Sequence, residues 1–239
     1  METILHKANT RGVANHGWLK SFHSFSFANY YNPQKMHFGV LRVLNDDEVA
    51  PGMGFGTHPH DNMEIISIPL SGELKHRDSM GNEAVIRTGE IQVMSAGTGI
   101  QHSEFNASTE APVKFLQIWI FPNKKNVTPR YDQIQLPDLA KHNTLYQVLS
   151  PNPEDAGVWI HQNAWFHMGT FNRGKGFDYD LQDKSNGIYL FVLEGSLSVA
   201  NEKLEARDAI GISNSTQITG EILEENTRIL LMEIPMQLS

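Results

Sequence analysis

The stretch Ile68–Leu74, IPLSGEL, has a counterpart in FVLEGSL at 191–197. In each copy an apolar run leads to a glycine and then to a second short run. RTGEIQVMS (87–95) follows the first copy and EARDAIGIS (205–213) follows the second, across a gap about five residues shorter. Repetition on this scale predicts two related β-barrels, whereas coincidental similarity between two hairpins is the alternative.

Other short runs rich in Val, Ile, Phe and Trp recur between turn signals and favour an all-β sandwich or barrel. These runs are HFGVLRVL (37–44), EIISIPL (64–70), EIQVMS (90–95), VKFLQIWIF (113–121), GIYLFVL (187–193) and RILLMEI (228–234). DSMGN (78–82) predicts a hairpin turn, and DQIQLPDLAKH (132–142) predicts one short helix around Pro137.

A linker is predicted in FPNKKNVTPRYDQIQLPD (121–138), where Pro, Asn and charged residues cluster and apolar runs lapse. We therefore expect two consecutive barrels of the all-β class, with few short helices. The first domain is placed at residues 1–130 and the second at residues 131–239.

The composition excludes several classes of function. The 239 residues include no cysteine, which excludes disulfides, thiolate nucleophiles and sulfur-rich metal sites and fits a reducing cytoplasm. A net charge of −8 does not favour direct nucleic-acid binding. No run approaches the ~18 to 20 apolar residues of a membrane span, and METILHKANTRG at the start lacks the apolar core of a secretory signal. We expect a cytoplasmic protein.

Two histidines stand one residue apart in GMGFGTHPHDNME (52–64). On an extended strand His58 and His60 share one face while Pro59 points away, so both imidazoles can reach one metal ion. For an isolated His-x-His pair, two exposed polar side chains are the simpler interpretation.

A second segment, MSAGTGIQHSEFN (94–106), makes a metal site the favoured interpretation. His102 and Glu104 again share a strand face behind a glycine turn at Gly97 and Gly99. Three neutral imidazoles and one carboxylate suit a divalent first-row metal such as Fe, Mn, Ni, Cu or Zn better than Mg or Ca. Such a set leaves room for water, oxygen or substrate.

Residues outside these pairs are interpreted mainly as structural. His161 and His167 fit one strand face but lie too far apart to chelate together, so packing or a polar network is expected. His76 has inward parity and is a candidate for the pocket mouth. For Gln117 and Trp119, packing in the core is favoured over lining the pocket. His16 and His23 are expected to anchor their segment by hydrogen bonds. Met53, Phe55 and Met63 are candidates for an apolar wall of the pocket.

These segments resemble the two motifs of the cupin superfamily. Gly52, His58, His60 and Glu64 fit the first motif, with Gly72 one residue late, and Gly89, Gly99, His102 and Asn106 fit the second more loosely, with Ser95 near its expected proline. RGVANHGWLKSFHSFSFANYYNP (11–33), GTHPHDNMEIIS (56–67), HRDSMGN (76–82) and MSAGTGIQHSE (94–104) together resemble the pirin family, including bacterial pirins with quercetin 2,3-dioxygenase activity.

The resemblance implies a bicupin whose N-terminal barrel holds one divalent metal, usually Fe(II), with Mn, Ni, Cu, Zn and Co as alternatives. Carried onto this chain, the ligands are His58, His60, His102 and Glu104, while the C-terminal barrel lacks metal ligands. Inward parity suits Glu64 to a hydrogen bond with a ligand imidazole, and direct ligation is the less favoured alternative.

The implied activity is cleavage of a flavonol such as quercetin with O2 and release of carbon monoxide. Glu104 would serve both as ligand and as the base that takes the flavonol proton. One alternative is a metal- or redox-dependent regulator that binds a protein partner without turnover; another is a metal-dependent isomerase or hydrolase.

Overall fold

The structure is a computed structural model that describes residues 1–136 and 142–238. Regular structure in this part of the chain is almost entirely β-strand, with a single-turn 3-10 helix at Ala8–Thr10. In chain order the strands are β1 (Glu2–His6), β2 (Gly12–Asn15), β3 (Leu19–His23), β4 (Leu41–Val49), β5 (Gly54–His60), β6 (Glu64–Ser71), β7 (Glu73–Asp78), β8 (Glu83–Arg87), β9 (Glu90–Ser95), β10 (Ile100–Asn106), β11 (Val113–Ile120), β12 (Arg130–Gln135), β13 (Tyr146–Ser150), β14 (Val158–Trp159), β15 (Trp165–Phe171), β16 (Gly176–Asp180), β17 (Asn186–Glu194), β18 (Ser196–Val199), β19 (Glu202–Glu205), β20 (Ala209–Ser213), β21 (Gln217–Ile222) and β22 (Thr227–Pro235).

The strands form two barrels of the same design, each made of a seven-stranded and a four-stranded sheet. In the first barrel the sheet orders are β12-β9-β6-β11-β4-β3-β2 and β5-β10-β7-β8. In the second they are β1-β20-β17-β22-β15-β13-β14 and β16-β21-β18-β19. Strands β9-β6-β11-β4 thus correspond to β20-β17-β22-β15, and β5-β10-β7-β8 to β16-β21-β18-β19. The bicupin prediction is confirmed.

The repeated sequence marks the same corner in both barrels. Gly72 lies between β6 and β7 with φ +79°, and Gly195 lies between β17 and β18 with φ +78°. Glycine adopts this left-handed conformation without steric cost, which lets an apolar strand leave one sheet and enter the other. The predicted hairpin turn at 78–82 is also found, between β7 and β8.

An apolar core joins the two barrels. The outer faces of the two seven-stranded sheets pack together, with Ile66, Ile118 and Leu116 from the first sheet against Phe166, Leu230 and Met232 from the second, all fully buried or nearly so. Burial of this much apolar surface is the dominant stabilising contribution at such an interface. The inner space of each barrel is filled or lined separately.

The barrels also exchange edge strands. β1, from the start of the chain, pairs antiparallel with β20 of the second barrel, Glu2 opposite Ser213 through His6 opposite Ala209. β12 pairs with β9 of the first barrel. The boundary placed between residues 130 and 131 stays a prediction; in the structure it falls at the first residues of β12.

The helix predicted at 132–142 is wrong for its first residues, since Arg130–Gln135 is a strand on the edge of the first sheet. Residues 137–141 of that prediction lie outside the described residues. Backbone pairing with β9 supplies the hydrogen bonds that a helix would otherwise have made internally. Among the described residues, no helix has the length and apolar character needed to cross a membrane.

Candidate metal centre

Three histidines converge from two neighbouring strands. His58 and His60 lie on β5, and His102 lies on β10 directly opposite His58. The ring centroid of His102 lies 4.5 Å from that of His58 and 4.9 Å from that of His60. One nitrogen from each ring lies within 4.8 Å of the others, a spacing that one metal ion can bridge. The structure therefore brings together the two segments that the sequence singled out.

All three imidazoles offer a lone pair. Burial, with the neighbouring histidines as a smaller cause, lowers the pKa of His60 to about 4 and that of His102 to about 3. His58 Nδ1 lies 2.8 Å from the Gly56 carbonyl oxygen, which can only accept a hydrogen bond. The proton of His58 is therefore on Nδ1, and its Nε2 is free to bind a metal.

Glu104 lies on β10, separated from His102 by a β-bulge. The register between β10 and β5 shifts between His102 and Glu104, yet Glu104 stays buried on the inner face. Its Oε2 accepts a 2.7 Å hydrogen bond from Gln117 Nε2, and its Oε1 lies 3.0 Å from the Ser67 hydroxyl. Glu104 forms a second potential metal-binding group with His102 and His76 rather than with His58 and His60.

His76 lies deeper than the sequence suggested. It is fully buried opposite Glu104, and one of its nitrogens lies within 4.8 Å of ligand atoms of His102 and Glu104. Its Nε2 donates to Asp78 Oδ2 at 3.1 Å. Burial opposes ionisation of Asp78, but hydrogen bonds from Asn82 and His76 outweigh it and hold the pKa of Asp78 below its ordinary value. Asp78 is therefore an acceptor, which leaves the lone pair of His76 on Nδ1.

Glu64 makes no hydrogen bond to His58, His60 or His102, so its predicted hydrogen bond to a ligand imidazole is wrong. Its Oε2 instead accepts from Ser95 Oγ at 2.7 Å, on the side of the sheet that faces the second barrel. Burial raises its pKa to about 7, against the opposing effects of Ser95 and Arg130. Strand β5 ends at His60, and Asn62 has a left-handed φ of +46°, so the alternation of faces does not carry through to Glu64.

A cavity of about 390 Å³ opens beside the histidines. His58 and Glu104 form part of its wall, together with Gln117 and Trp119. Pocket lining is thus found for both of these last residues, and Trp119 also packs against the buried apolar cluster around Ile65 and Met94. Most of the remaining wall comes from β3, β4 and the segment before them. These lining residues are Ala14, His16, Trp18, Leu19, Ser21, His23, Phe27, Ala28, Asn45, Asp47 and Phe55.

The predicted aromatic wall is only partly found. Phe55 lines the cavity and packs edge-on against Trp18, with 5.4 Å between ring centroids. Met53 is exposed, and Met63 packs against a buried apolar cluster that includes Ile65 and Met94. The buried polar residues Asn45 and Asp47 were missed. Their signal was parity, since Asn45 and Asp47 share one face of the strand LRVLNDDEV with the buried Val43 and Val49.

The predictions for four further histidines are partly confirmed. His16 and His23 line the cavity, and anchoring by side-chain hydrogen bonds is wrong for His23, which makes an edge-on contact with Phe27 at 5.3 Å. His161 precedes β15 and does not share its face with His167, contrary to the sequence-based expectation. Packing is confirmed for both, since His161 contacts Trp159 and His167 contacts Tyr179.

The second barrel carries different side chains at the equivalent positions. Leu74 pairs with Asn106 in the first barrel, and Leu197 pairs with Ile222 at the equivalent place in the second. With the barrels aligned on these pairs, His102 corresponds to Ile218 and Glu104 corresponds to Gly220. Tyr179 lies opposite Ile218 as His58 lies opposite His102. An apolar cluster that includes Phe177, Tyr179 and Ile218 fills this barrel.

A metal ion fits the residues of the first barrel. Among the residues that the structure describes, neither ring nitrogen of the buried His102 has a hydrogen-bond partner, and His76 Nδ1 lacks one as well. Buried polar atoms without partners are costly, so a ligand for them is expected. Neutral imidazoles beside a carboxylate are the donor set that divalent transition metals prefer.

The chain matches two family models. Residues 6–120 match the model described as pirin, and residues 147–234 match the quercetinase C-terminal cupin domain. A relative named quercetin 2,3-dioxygenase from Escherichia coli (strain K12) is 40% identical over 97% of this chain and 98% of its own length. A pirin-like protein from Caulobacter vibrioides is 38% identical over 92% of this chain and 94% of its own length.

Solved structures agree with the sequence comparisons. The crystal structure of the bacterial pirin YhhW from Escherichia coli, in complex with nickel(II), superposes with a TM-score of 0.92 at 38% identity, covering 98% of this chain and 99% of that one. A quercetin 2,3-dioxygenase from Acinetobacter baumannii shares the fold, with a TM-score of 0.78 at 22% identity over 97% of this chain and 86% of that one. The chain therefore belongs to the pirin family.

Proposed function

We propose that this protein is a metal-dependent dioxygenase that cleaves a flavonol such as quercetin with O2 and releases carbon monoxide. The observation that carries this proposal is the convergence of three imidazoles beside a cavity whose wall includes His58 and the buried carboxylate of Glu104. The name of the 40% identical relative supports the substrate class. The proposed ligands are His58, His60, His102 and Glu104.

The metal, for which we propose Fe(II), would bind the substrate oxygen as a Lewis acid and supply the redox chemistry for O2. The similar YhhW structure was solved in complex with nickel(II), which supports the proposal that this chain also binds a divalent metal. The chain's own contribution begins with orientation: Gly56 fixes the His58 ring through Nδ1, and Gln117 and Ser67 hold both carboxylate oxygens of Glu104.

Glu104 is the proposed proton acceptor. Its carboxylate lines the cavity, so it can take the hydroxyl proton of a flavonol bound there. The apolar part of the wall, which includes Trp18, Phe27 and Phe55, packs against an aromatic substrate and excludes water.

Oxygen uptake tests this function directly. Metal-free protein is loaded anaerobically with Fe(II), and O2 consumption and carbon monoxide release are measured with quercetin and with simpler enols. His102→Ala should abolish both signals and lower the bound metal per chain. His161→Ala is the matched control, because this histidine lies in the second barrel against Trp159.

Two results would overturn the proposal. If no flavonol or enol causes O2 uptake while the metal-loaded protein retains a protein partner in a pull-down, the regulatory alternative is favoured. Turnover of another substrate without O2 uptake would instead favour an isomerase or hydrolase.

A further inference from the structure

The cavity has a polar wall away from the histidines. Ser21 on β3 and Asn45 and Asp47 on β4 belong to the seven-stranded sheet, whereas His58, His102 and Glu104 belong to the four-stranded sheet. All three polar residues line the cavity and are at least 96% buried. Burying polar groups opposes folding unless each of them is hydrogen-bonded.

Asn45 belongs to a polar row that runs across the sheet, and Ser21 and Asp47 lie next to this row. Strand pairing places, side by side, His23, Asn45, Gln117, Ser67, Gln92 and Gln133. The equivalent row of the second barrel is Gln147, His167, Leu231, Leu190, Ile210 and Leu5. Asp47 corresponds by the same register to Gly169. The same fold thus forms with apolar residues at the centre of this row and with glycine in place of Asp47, so the fold itself does not require these polar side chains.

Part of this wall has unused hydrogen-bonding capacity. Asn45 Oδ1 and His23 Nδ1 are buried without a hydrogen-bond partner among residues 1–136 and 142–238. Asp47 Oδ1 accepts from the Ser21 hydroxyl. Burial raises the pKa of Asp47 to about 7. The acceptors of Asn45 and Asp47 suit an O–H group of a ligand.

We propose that Ser21, Asn45 and Asp47 form a second recognition site, which binds a hydroxyl group of the substrate remote from its metal-bound oxygen. The preferred substrates are therefore aromatic enols that carry further hydroxyl groups, rather than those with the enol oxygen alone. This inference rests on the proposed function, because it takes the metal to hold the enol end. A site that hydrogen-bonds a ligand hydroxyl discriminates strongly against analogues that lack it.

Binding of two ligands tests the proposal without turnover. The protein is loaded with redox-inactive Zn(II), and dissociation constants are measured by titration for quercetin and for 3-hydroxyflavone, which keeps the enol but lacks the other hydroxyl groups. Wild-type protein should bind quercetin at least about tenfold more tightly. In Asn45→Leu and Asp47→Leu this ratio of dissociation constants should fall about tenfold. Glu48→Gln is the control, since this half-buried acid lies on the outer face of the same strand.

The outcomes separate the two proposals. An equal affinity of wild-type protein for both ligands, or a ratio in Asn45→Leu within about twofold of the wild-type ratio, would overturn the recognition site. The wild-type comparison decides the matter even if a variant fails to fold. Selective quercetin binding that is lost in the variants, without O2 uptake by the Fe(II)-loaded protein, would uphold the recognition site and reject the dioxygenase.

Discussion

At the scale of single residues, the candidate centre depends on side chains that neighbouring strands hold in place. Glu104 receives a hydrogen bond from Gln117, and the Ser67 hydroxyl lies between the two residues, 3.0 Å from an oxygen of each. Such supporting contacts orient metal ligands and tune their basicity. The positions of Gln117 and Ser67 are filled by Leu231 and Leu190 in the second barrel, where no carboxylate needs orienting.

Gln117→Leu should therefore impair turnover while keeping the fold. Loss of the amide frees Glu104 to rotate, and we expect O2 uptake with quercetin to fall about 10- to 100-fold. Gln147→Leu, the same change in the second barrel, is the control. An uptake rate for Gln117→Leu close to that of the wild type would show that this hydrogen bond does not matter.

Asp47 should make stability depend on pH. Its folded pKa of about 7 exceeds the value of 3.8 expected in the unfolded chain, so the folded protein binds more protons between these values. Stability is therefore lost as the pH rises from about 4 to 7. Asp47→Asn removes this loss, so its melting temperature relative to the wild type should be higher at pH 8 than at pH 4, by roughly 5 °C or more.

Differential scanning calorimetry at both pH values measures this difference. Other titrating groups, such as Glu64, are present in both proteins and cancel in the comparison. Glu48→Gln should show a much smaller pH dependence. A constant difference between Asp47→Asn and the wild type across the range would mean that Asp47 is ionised normally.

At the scale of elements, strands were predictable because their apolar periodicity is local. Each apolar run named from the sequence lies wholly or partly in a strand, and the glycines at 72 and 195 mark equivalent corners. Parity failed where the chain turns, as between His60 and Glu64. The partnership of His76 with Glu104 was not predictable, because it depends on the register between β7 and β10, which sequence periodicity does not encode.

The glycine turn before β10 offers a test of an element. Gly97 has φ +49°, and a Cβ atom placed on it would lie 2.0 Å from the Val127 carbonyl oxygen. Gly97→Ala forces the backbone to move, and β10 carries both His102 and Glu104. We expect a loss of roughly 2 kcal/mol or more in the free energy of unfolding and weaker metal binding.

Chemical denaturation and metal titration measure these two effects. Gly81→Ala is a useful control, because its φ of +95° strains the backbone but no heavy atom lies within 4 Å of the added Cβ. If Gly97→Ala binds metal as tightly as Gly81→Ala, the turn does not position β10.

At the scale of the whole molecule, we expect the two barrels to unfold as one cooperative unit. They share the apolar core between their large sheets, and β1 crosses to complete the second barrel. The duplication could be inferred from the repeated segments, but the exchange of β1 could not, since ETILH carries no signal for a distant partner.

Phe166→Ala tests this unity. The ring is fully buried in the shared core, and its removal should cost about 3 to 5 kcal/mol. Calorimetry should show a single transition in wild type and variant, shifted to lower temperature in the variant. Two resolved transitions, of which only one moves, would show that the barrels unfold independently.

Anomalous X-ray scattering from crystals of the Fe(II)-loaded protein tests the central claim most directly. We expect one strong peak per chain, about 2.0 to 2.3 Å from imidazole nitrogens of His58, His60 and His102 and close to the Glu104 carboxylate. A peak bound elsewhere, or these three imidazoles left without metal in fully loaded protein, would contradict the account.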